Sequence, residues 1–327
     1  MKKANKLRTS PARFFADSRV PGLRRLAPLA QRVARVPLIA DLLEQPVHAL
    51  AERELPLVSR LARSSRRRAQ RERSRLLAKH GHPTVSVIVA AHNAEASLAA
   101  SLDSLLAQSH HALEVLVVDD RSTDRTVEVA NRAAARDRRV RVLQHDANRG
   151  AAIARNTGLA AATGDYLSFQ DADDRSHPER IERQLASLLS APGAALAVCN
   201  FRREAPDGTP LTVNGRRFAK NLISMLFSRA AFERVGYLRP LTTGEDAEYY
   251  ERIKAAHGQG CEVHRFETLY FARFEPSSLL FSNGEVRREG DAVFFTESPE
   301  HRVRRERALD HLEAVRAGRV SPYVPFE

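Results

Sequence analysis

The chain has no tryptophan, and only two cysteines and two methionines, among 327 residues. Cys199 and Cys261 stand far apart, with no CxxC or Cys/His spacing. Neither a disulfide framework nor a zinc site is expected, and a reducing cytoplasm is the expected location. No apolar run reaches the roughly 18–20 residues that cross a bilayer. The N-terminus, MKKANKLRTSPARFF, is basic but is not followed by an apolar segment, so no secretory signal is expected. Acidic residues are scarce at the start. Residues 1–83 hold 20 Lys and Arg against 6 Asp and Glu, a surplus of +14, while the whole chain carries +12. Residues 84–327 are therefore near neutral, at −2. The basicity belongs to the extension, which argues against a nucleic acid as partner of the main part. A glycine-rich phosphate loop is missing too. The first strand-to-helix turn reads AAHNAEAS, with no G-x-G-x-x-G, and no Walker A loop occurs anywhere. Dinucleotide-binding and P-loop chemistry are excluded on that ground.

Two regions and a tail are present. Prolines at 11, 21, 28, 37, 46 and 56 divide residues 1–83 into short pieces such as LAQRVARV and LIADLLEQ, which suit short amphipathic helices. SRLARSSRRRAQRERSRLLAK (59–79) suits a longer Arg-rich helix. The region reads as a basic, Pro-punctuated, helical or partly disordered extension. A solvated arm, a partner-binding arm and a docking surface for anionic lipid are its three readings. For the last, each Lys or Arg near the surface contributes about 1 kcal/mol. From Thr84 the texture changes. VSVIVAA (85–91), LEVLVV (113–118), RVRVLQ (139–144), DYLSFQ (165–170) and AALAVCNF (194–201) read as strands. Helical patterns at 96–108, 126–137, 151–163 and 179–190 alternate with them. Near-continuous apolar strands between helices predict a mostly parallel, Rossmann-like α/β sheet covered on both faces. Right-handed crossovers place the strand C-terminal ends on one edge, where ligands bind in such sheets.

That edge collects acids. Asp119 and Asp120 follow the second strand, and Asp171, Asp173 and Asp174 follow the fourth. Single acids there serve as caps or turn residues, and Ser122, Thr123 and Asp124 are read so. Five acids on one edge need a positive charge. An EF-hand starting at Asp171 fails, because Arg175 takes a ligand position and Ser176 replaces the turn glycine. A phosphatase-type DxDx(T/V) fails at Arg175 as well. What remains is D-x-D at a strand end. Alternate residues put Asp171 and Asp173 on one side of an extended chain, where two carboxylates can hold Mg²⁺ or Mn²⁺ and leave positions open for substrate phosphate.

TVSVIVAAHNAEASLAASLDSLLAQS, LEVLVVDDRSTDRT, NRGAAIARNTGLAAATGDYLSFQDADD and GEDAEYYERI stand in the order found in family 2 glycosyltransferases of the GT-A fold, which this sequence resembles over residues 84–275. The resemblance implies transfer of a sugar, with inversion, from a nucleotide-diphosphate donor, most often a UDP-sugar, to a glycan or lipid-linked acceptor. It also implies that Ala90, His92 and Asn93 line the nucleoside pocket. The family usually has Pro or Thr near Ala90 and often Tyr in place of His92. Asp120 matches the aspartate that bonds the base. Asn148 and Arg155 match residues near the base and the diphosphate, Asp171 the ribose- or metal-side acid, and Asp173 the metal ligand. Glu245 and Asp246 match the ED motif, with Asp246 as general base. Arg273, Ser277 and Ser278 resemble the closing segment. Residues 276–327 read as a polar, partly helical extension. A nucleotidyltransferase of related fold and a non-catalytic scaffold working through the basic arm are the alternatives. The first lacks its Gly-rich loop, and the second leaves D-x-D, NRG and ED standing together without a use.

Overall fold

The computed structural model describes residues 56–276 and 278–326. The segments LAQRVARV and LIADLLEQ, and Ser277, lie outside the described residues. The Arg-rich segment is a helix, α1 (Pro56–Lys79). Alternating strands and helices follow: β1 (Val85–Ala91), α2 (Leu98–Leu106), β2 (Leu113–Asp119), α3 (Thr126–Arg136), β3 (Val140–Gln144), α4 (Ala151–Ala161), β4 (Tyr166–Asp171), the two-residue β5 (Arg175–Ser176), α5 (Arg180–Leu189) and β6 (Leu196–Glu204). Then come β7 (Pro210–Val213), β8 (Phe218–Ser228), α6 (Arg229–Val235), α7 (Glu245–His257) and β9 (Glu262–Arg273). The chain closes with α8 (Leu279–Ser282), β10 (Gly284–Glu289), β11 (Ala292–Glu297), α9 (Pro299–Leu309) and α10 (Leu312–Arg316).

The strand order is β10-β11-β7-β6-β8-β4-β1-β2-β3, with β9 paired to β5 and β6. The expected parallel arrangement holds from β3 to β4. Beyond β4 the sheet is mixed, and there the expectation of a mostly parallel sheet is corrected. β8 inserts between β4 and β6 and runs antiparallel to both. β6 and β4 therefore point the same way, and β9 runs parallel to β6. The C-terminal ends of β1, β2, β4, β6 and β9 consequently share one edge, and the acids lie on it.

Packing fixes that edge. Val85, Val87 and Val89 of β1 face α2 and α3, while Ile88 faces α4, and all four are fully buried. Burying such a side chain stabilises by roughly 1.5–3 kcal/mol. Helix α4 lies close on β1 because its inner positions are small: Ala152, Ala154 and Gly158. A methyl group at Gly158 would overlap Ile88 Cγ2. On the other half, Phe169 of β4, Phe227 of β8 and Tyr249 of α7 pack ring to ring at 5.4–6.2 Å. Tyr249 also donates to Gly236 O at 3.0 Å. These contacts seat α7 on the sheet. Residues 284–297 form a hairpin whose β11 joins β7. It covers a small core of Leu211, Phe274, Phe281 and Val293. Near the chain end, Val324 bonds Tyr237 N, and Phe326 stacks on Tyr237 at 4.9 Å.

Candidate active site

Two groups of residues face the carboxyl edge. The first gathers at the ends of β1 and β2. Ala90 lies in register between Val118 of β2 and Asp171 of β4. His92 Nδ1 is 2.9 Å from the carbonyl of Asp120. A carbonyl only accepts, so Nδ1 carries the proton, and Nε2 accepts from the amides of Asn148 (3.2 Å) and Asn93 (3.3 Å). Asn93 sits at φ 49°, a left-handed conformation that asparagine tolerates. Its Oδ1 accepts from Thr123 N at 2.8 Å. The Asp120 carboxylate is buried and accepts from His145 Nδ1 (2.7 Å), Arg149 N (2.9 Å) and Gly150 N (2.7 Å). It ties the NRG loop, and hence the start of α4, to β2. Gly150 needs its φ of 87° there. His92, Asn93, Asp120 and Asn148 thus form one bonded cluster.

The second group surrounds the end of β4. Carboxylate oxygens of Asp171, Asp173 and Asp174 lie within 4.8 Å of one another. Burial and the charge of Asp171 push the Asp173 carboxyl up to about 6, although Arg203 and Arg273 pull against it. Asp174 is buried, and burial together with the charges of Asp173 and Asp171 raises it well above the carboxylate range. Its Oδ1 accepts from Arg273 N at 2.8 Å, so it braces the turn as well as joining the cluster. Arg155, on α4, is 6% exposed. Its Nη2 donates to Asp171 (2.8 Å) and its Nη1 to Glu245 (2.5 Å). Burial disfavours its charge, but Asp171, Glu245 and Asp246 outweigh burial and raise its pKa. Arg155 is therefore a buried, doubly paired cation. Glu245 and Asp246 open α7, behind Gly244 at φ 78°. Burial and Glu245 push the Asp246 carboxyl up to about 6, against the pull of Arg155. A carboxyl tuned there can take a proton near neutral pH.

Several of these positions were not singled out in the sequence. Ser101 and Ser104 of α2, with Gln108 two residues past its end, form a polar stripe. Ser101 Oγ donates to Asp171 O (3.0 Å), Ser176 N to Ser104 Oγ (3.0 Å), and Gln108 Nε2 to His177 O (2.8 Å). From the opposite side, Asp171 N donates to Tyr270 OH at 3.0 Å. These bonds hold the acidic turn in shape. His145 was overlooked although it follows β3 as Asp120 follows β2, so the strand-end logic would have found it. Of the five edge acids, Asp119 does not join the cluster; it is buried and accepts from Ser122 N at 3.2 Å. Asp124 serves as a brace, accepting from Thr126 N (2.9 Å) and Glu95 N (3.1 Å).

An α/β sheet that switches to antiparallel pairing beside a D-x-D strand end defines a GT-A-type architecture. S. aureus TarS, solved in complex with UDP-GlcNAc, shares that fold, with a TM-score of 0.50 at 22% identity over 62% of each chain. Residues 86–244 match the model of glycosyl transferase family 2. These residues, about half of the chain, are thus similar to a family 2 glycosyl transferase domain. It is 37% identical over 129 residues to the putative teichuronic acid biosynthesis glycosyltransferase TuaG of Bacillus subtilis, covering 39% of this chain and 51% of TuaG. It is 31% identical over 248 residues to the succinoglycan biosynthesis protein ExoO of Rhizobium meliloti, covering 71% of this chain and 66% of ExoO. The chain thus spans about half to two thirds of these relatives' length. Among the described residues, no helix is long and apolar enough to cross a membrane.

Proposed function

We propose that the protein is an inverting glycosyltransferase that moves a sugar from a nucleotide-diphosphate donor, a UDP-sugar, to a glycan or lipid-linked acceptor. The observation that carries this reading is Arg155, which joins the acid turn after β4 to the ED motif opening α7, 90 residues further along the chain. Three motifs distant in sequence meet around one guanidinium. Ala90, His92, Asn93, Asp120 and Asn148 form the nucleoside side. Asp120 has two oxygens committed to His145 and the NRG loop, so its role towards a base is to aim the pocket as well as to bond the ring.

The carboxylates fit a hard divalent cation. Three oxygen donors lie close together, and two of the acids are raised by mutual repulsion and burial, the imbalance a cation would relieve. Asp173 and Asp171 would hold Mg²⁺ or Mn²⁺, which would offset the charge of the departing diphosphate. Asp246 accepts the proton of the acceptor hydroxyl as that oxygen attacks the anomeric carbon from the face opposite the diphosphate. Glu245, fixed by Arg155, holds the start of α7 against the acid turn. Calorimetry with UDP and Mn²⁺ tests the donor site: Asp173→Ala should abolish metal-dependent binding. Asp246→Asn should abolish transfer and spare UDP binding, and retained turnover would refute the base.

The basic extension fits peripheral attachment to an anionic membrane on the cytoplasmic side. On α1, Arg71, Arg75 and Lys79 are exposed, while Leu77 is buried and Arg73 pairs with Glu179 (3.1 Å) and Glu182 (2.9 Å) of the α5 region. Removing residues 1–67 keeps that anchor. Salt-sensitive binding to anionic liposomes should then drop, and unchanged binding would sink this part of the proposal.

A further inference from the structure

Residues 319–326 read RVSPYVPF. Proline has no N–H, so Pro322 and Pro325 leave only Tyr323 and Val324 as backbone donors in PYVP, and a residue before proline is held extended. Tyr323 N is taken by Ser321 Oγ at 3.1 Å. Val324 is the position left to pair with another segment. Its N donates to Val235 O and its O accepts from Tyr237 N, both at 2.9 Å. The segment it pairs with opens the connection from α6 to α7, which ends in Gly244, Glu245 and Asp246. Gly236, between the two bonded residues, sits at φ 71° directly against Val324. A Cβ there would stand 2.0 Å from the Val324 carbonyl oxygen.

Three elements meet on that connection. From α4, Asn156, the neighbour of Arg155, donates to Leu238 O and accepts from Leu238 N, both at 2.8 Å. From α7, the buried Arg252 pairs with the buried Glu248 at 2.8 and 3.1 Å. The same guanidinium donates to Val235 O, to Tyr237 O at 2.7 Å and to Pro322 O at 3.1 Å. A buried cation needs an acceptor for each N–H it keeps from water, and one of these acceptors comes from PYVP. From the C-terminal part, Leu312 and Val315 of α10 are buried and the helix packs on α7. His311 Nδ1 accepts from Arg239 Nη1 at 3.0 Å, and its Nε2 lies 3.0 Å from Glu248 Oε1. Glu248 is two residues past Asp246 on α7. Arg155 therefore fixes the first residue of α7, while Arg252 and Val324 fix the chain that leads to it. Among the described residues, the two large cores hold nothing from 319–326, so this segment closes onto a domain that packs without it.

We infer that Pro322 and Val324 are positioning residues for Asp246, acting through the α6–α7 connection that their backbone groups hold. The inference rests on the proposed transfer reaction and gives the C-terminal segment a part in it. The test compares the full chain with a form lacking residues 320–327. Three quantities are read: amide exchange by mass spectrometry, calorimetric binding of UDP with Mn²⁺, and UDP release from UDP-glucose, UDP-galactose and UDP-N-acetylglucosamine with water as the acceptor. In the shortened form, exchange over 236–250 should quicken while β1 to β4 stay protected. Its kcat should fall by roughly tenfold or more, the scale of a displacement approaching 1 Å at a reacting group, with the UDP affinity of the parent retained. Gly236→Ala keeps every residue of the segment and forces Val324 away, so it should reproduce this split between kcat and UDP affinity. In the shortened chain its methyl group no longer meets Val324, and the two changes together should do little more than the deletion alone. A shortened form with the parent's kcat, equal losses of kcat and UDP affinity, or unchanged exchange over 236–250 overturns the inference. A full chain that binds no UDP with Mn²⁺ overturns the transferase reading itself, and the positioning role with it.

Discussion

Replacing Arg155 by methionine keeps much of its length and removes its charge. Glu245 Oε1 and Asp171 Oδ1 would each lose a charged partner, at 2.5 and 2.8 Å. Removing one member of a buried ion pair costs about 3–5 kcal/mol, because the other charge stays buried and uncompensated. Asp171 is 37% exposed, so water screens part of its share. Glu245 is only 13% exposed and carries most of the loss. The lower end, about 3 kcal/mol, is the expected cost. For a domain of this size that lowers Tm by about 6–12 °C, read by thermal unfolding followed by circular dichroism. The sign of a second effect is also set. Without Arg155, the acids at the end of β4 and the start of α7 repel one another more strongly, so a divalent cation should restore more stability to the variant than to the unsubstituted protein. Arg155→Lys should recover part of the loss, since a single ammonium cannot span both carboxylates as a guanidinium does. A methionine variant that melts within a degree or so of the parent, with the same response to Mn²⁺, would refute the view that this arginine holds the two motifs together.

Four further outcomes follow from the structure. With its carboxyl at about 6, Asp246 is protonated below that pH and cannot act as a base, so kcat/KM should rise with pH through about 6. Glu245→Gln should move that limb to lower pH, measured by nucleotide release, because the Glu245 charge helps to raise it. Asp173 and Asp246 both stand above their ordinary value, so the folded state binds their protons more tightly than the unfolded chain. In the absence of metal, the stability they contribute should be full near pH 4 and fall as pH rises to about 6, a trend that denaturant titration reads directly. Asp120→Asn puts an amide N–H where only donors converge, from His145, Arg149 and Gly150. It should cost about 1–3 kcal/mol and weaken UDP binding in calorimetry. Gly158→Ala pushes a methyl group into Ile88 and should cost about 1–3 kcal/mol by overpacking, seen as a lower midpoint in urea.

The first half of the fold was legible because each strand there is buried on both faces and each helix has one apolar stripe. VSVIVAA and LEVLVV became β1 and β2 within a residue of their expected ends. FAKNLISMLFS was not read as a strand, yet it is β8, the strand that turns the sheet antiparallel. Its burial alternates only in part, and its pairing with β6 shifts register between Ala197 and Cys199, so no clean period marks it. The hairpin at 284–297 was hidden for another reason. It lies at the sheet edge and shows Arg287, Arg288 and Glu289 to solvent, and its inward signal is little more than Val286, Val293 and Phe295. A polar edge strand and a polar helix look alike in composition.

The site shows the same division between what a local pattern reports and what a fold decides. Strand ends announced the acids, because a short strand followed by carboxylates is a local pattern. Nothing local distinguishes Asp119 from Asp120, although one faces a turn amide and the other gathers the NRG loop. Nor does spacing show that Ser101, Ser104 and Gln108 turn towards the acidic turn, since a stripe of small polar residues on a helix is as often solvated. Arg155 is the sharpest case. In an exposed helix it would be an ordinary surface cation. Here Ala152, Ala154 and Gly158 let α4 sink onto β1, so the arginine between them cannot reach water. Its charge must then be met inside the protein, and Asp171 and Glu245 meet it. The small residues of AAIARNTG, which look like the least informative part of the motif, are therefore what bring the two acidic motifs to one guanidinium.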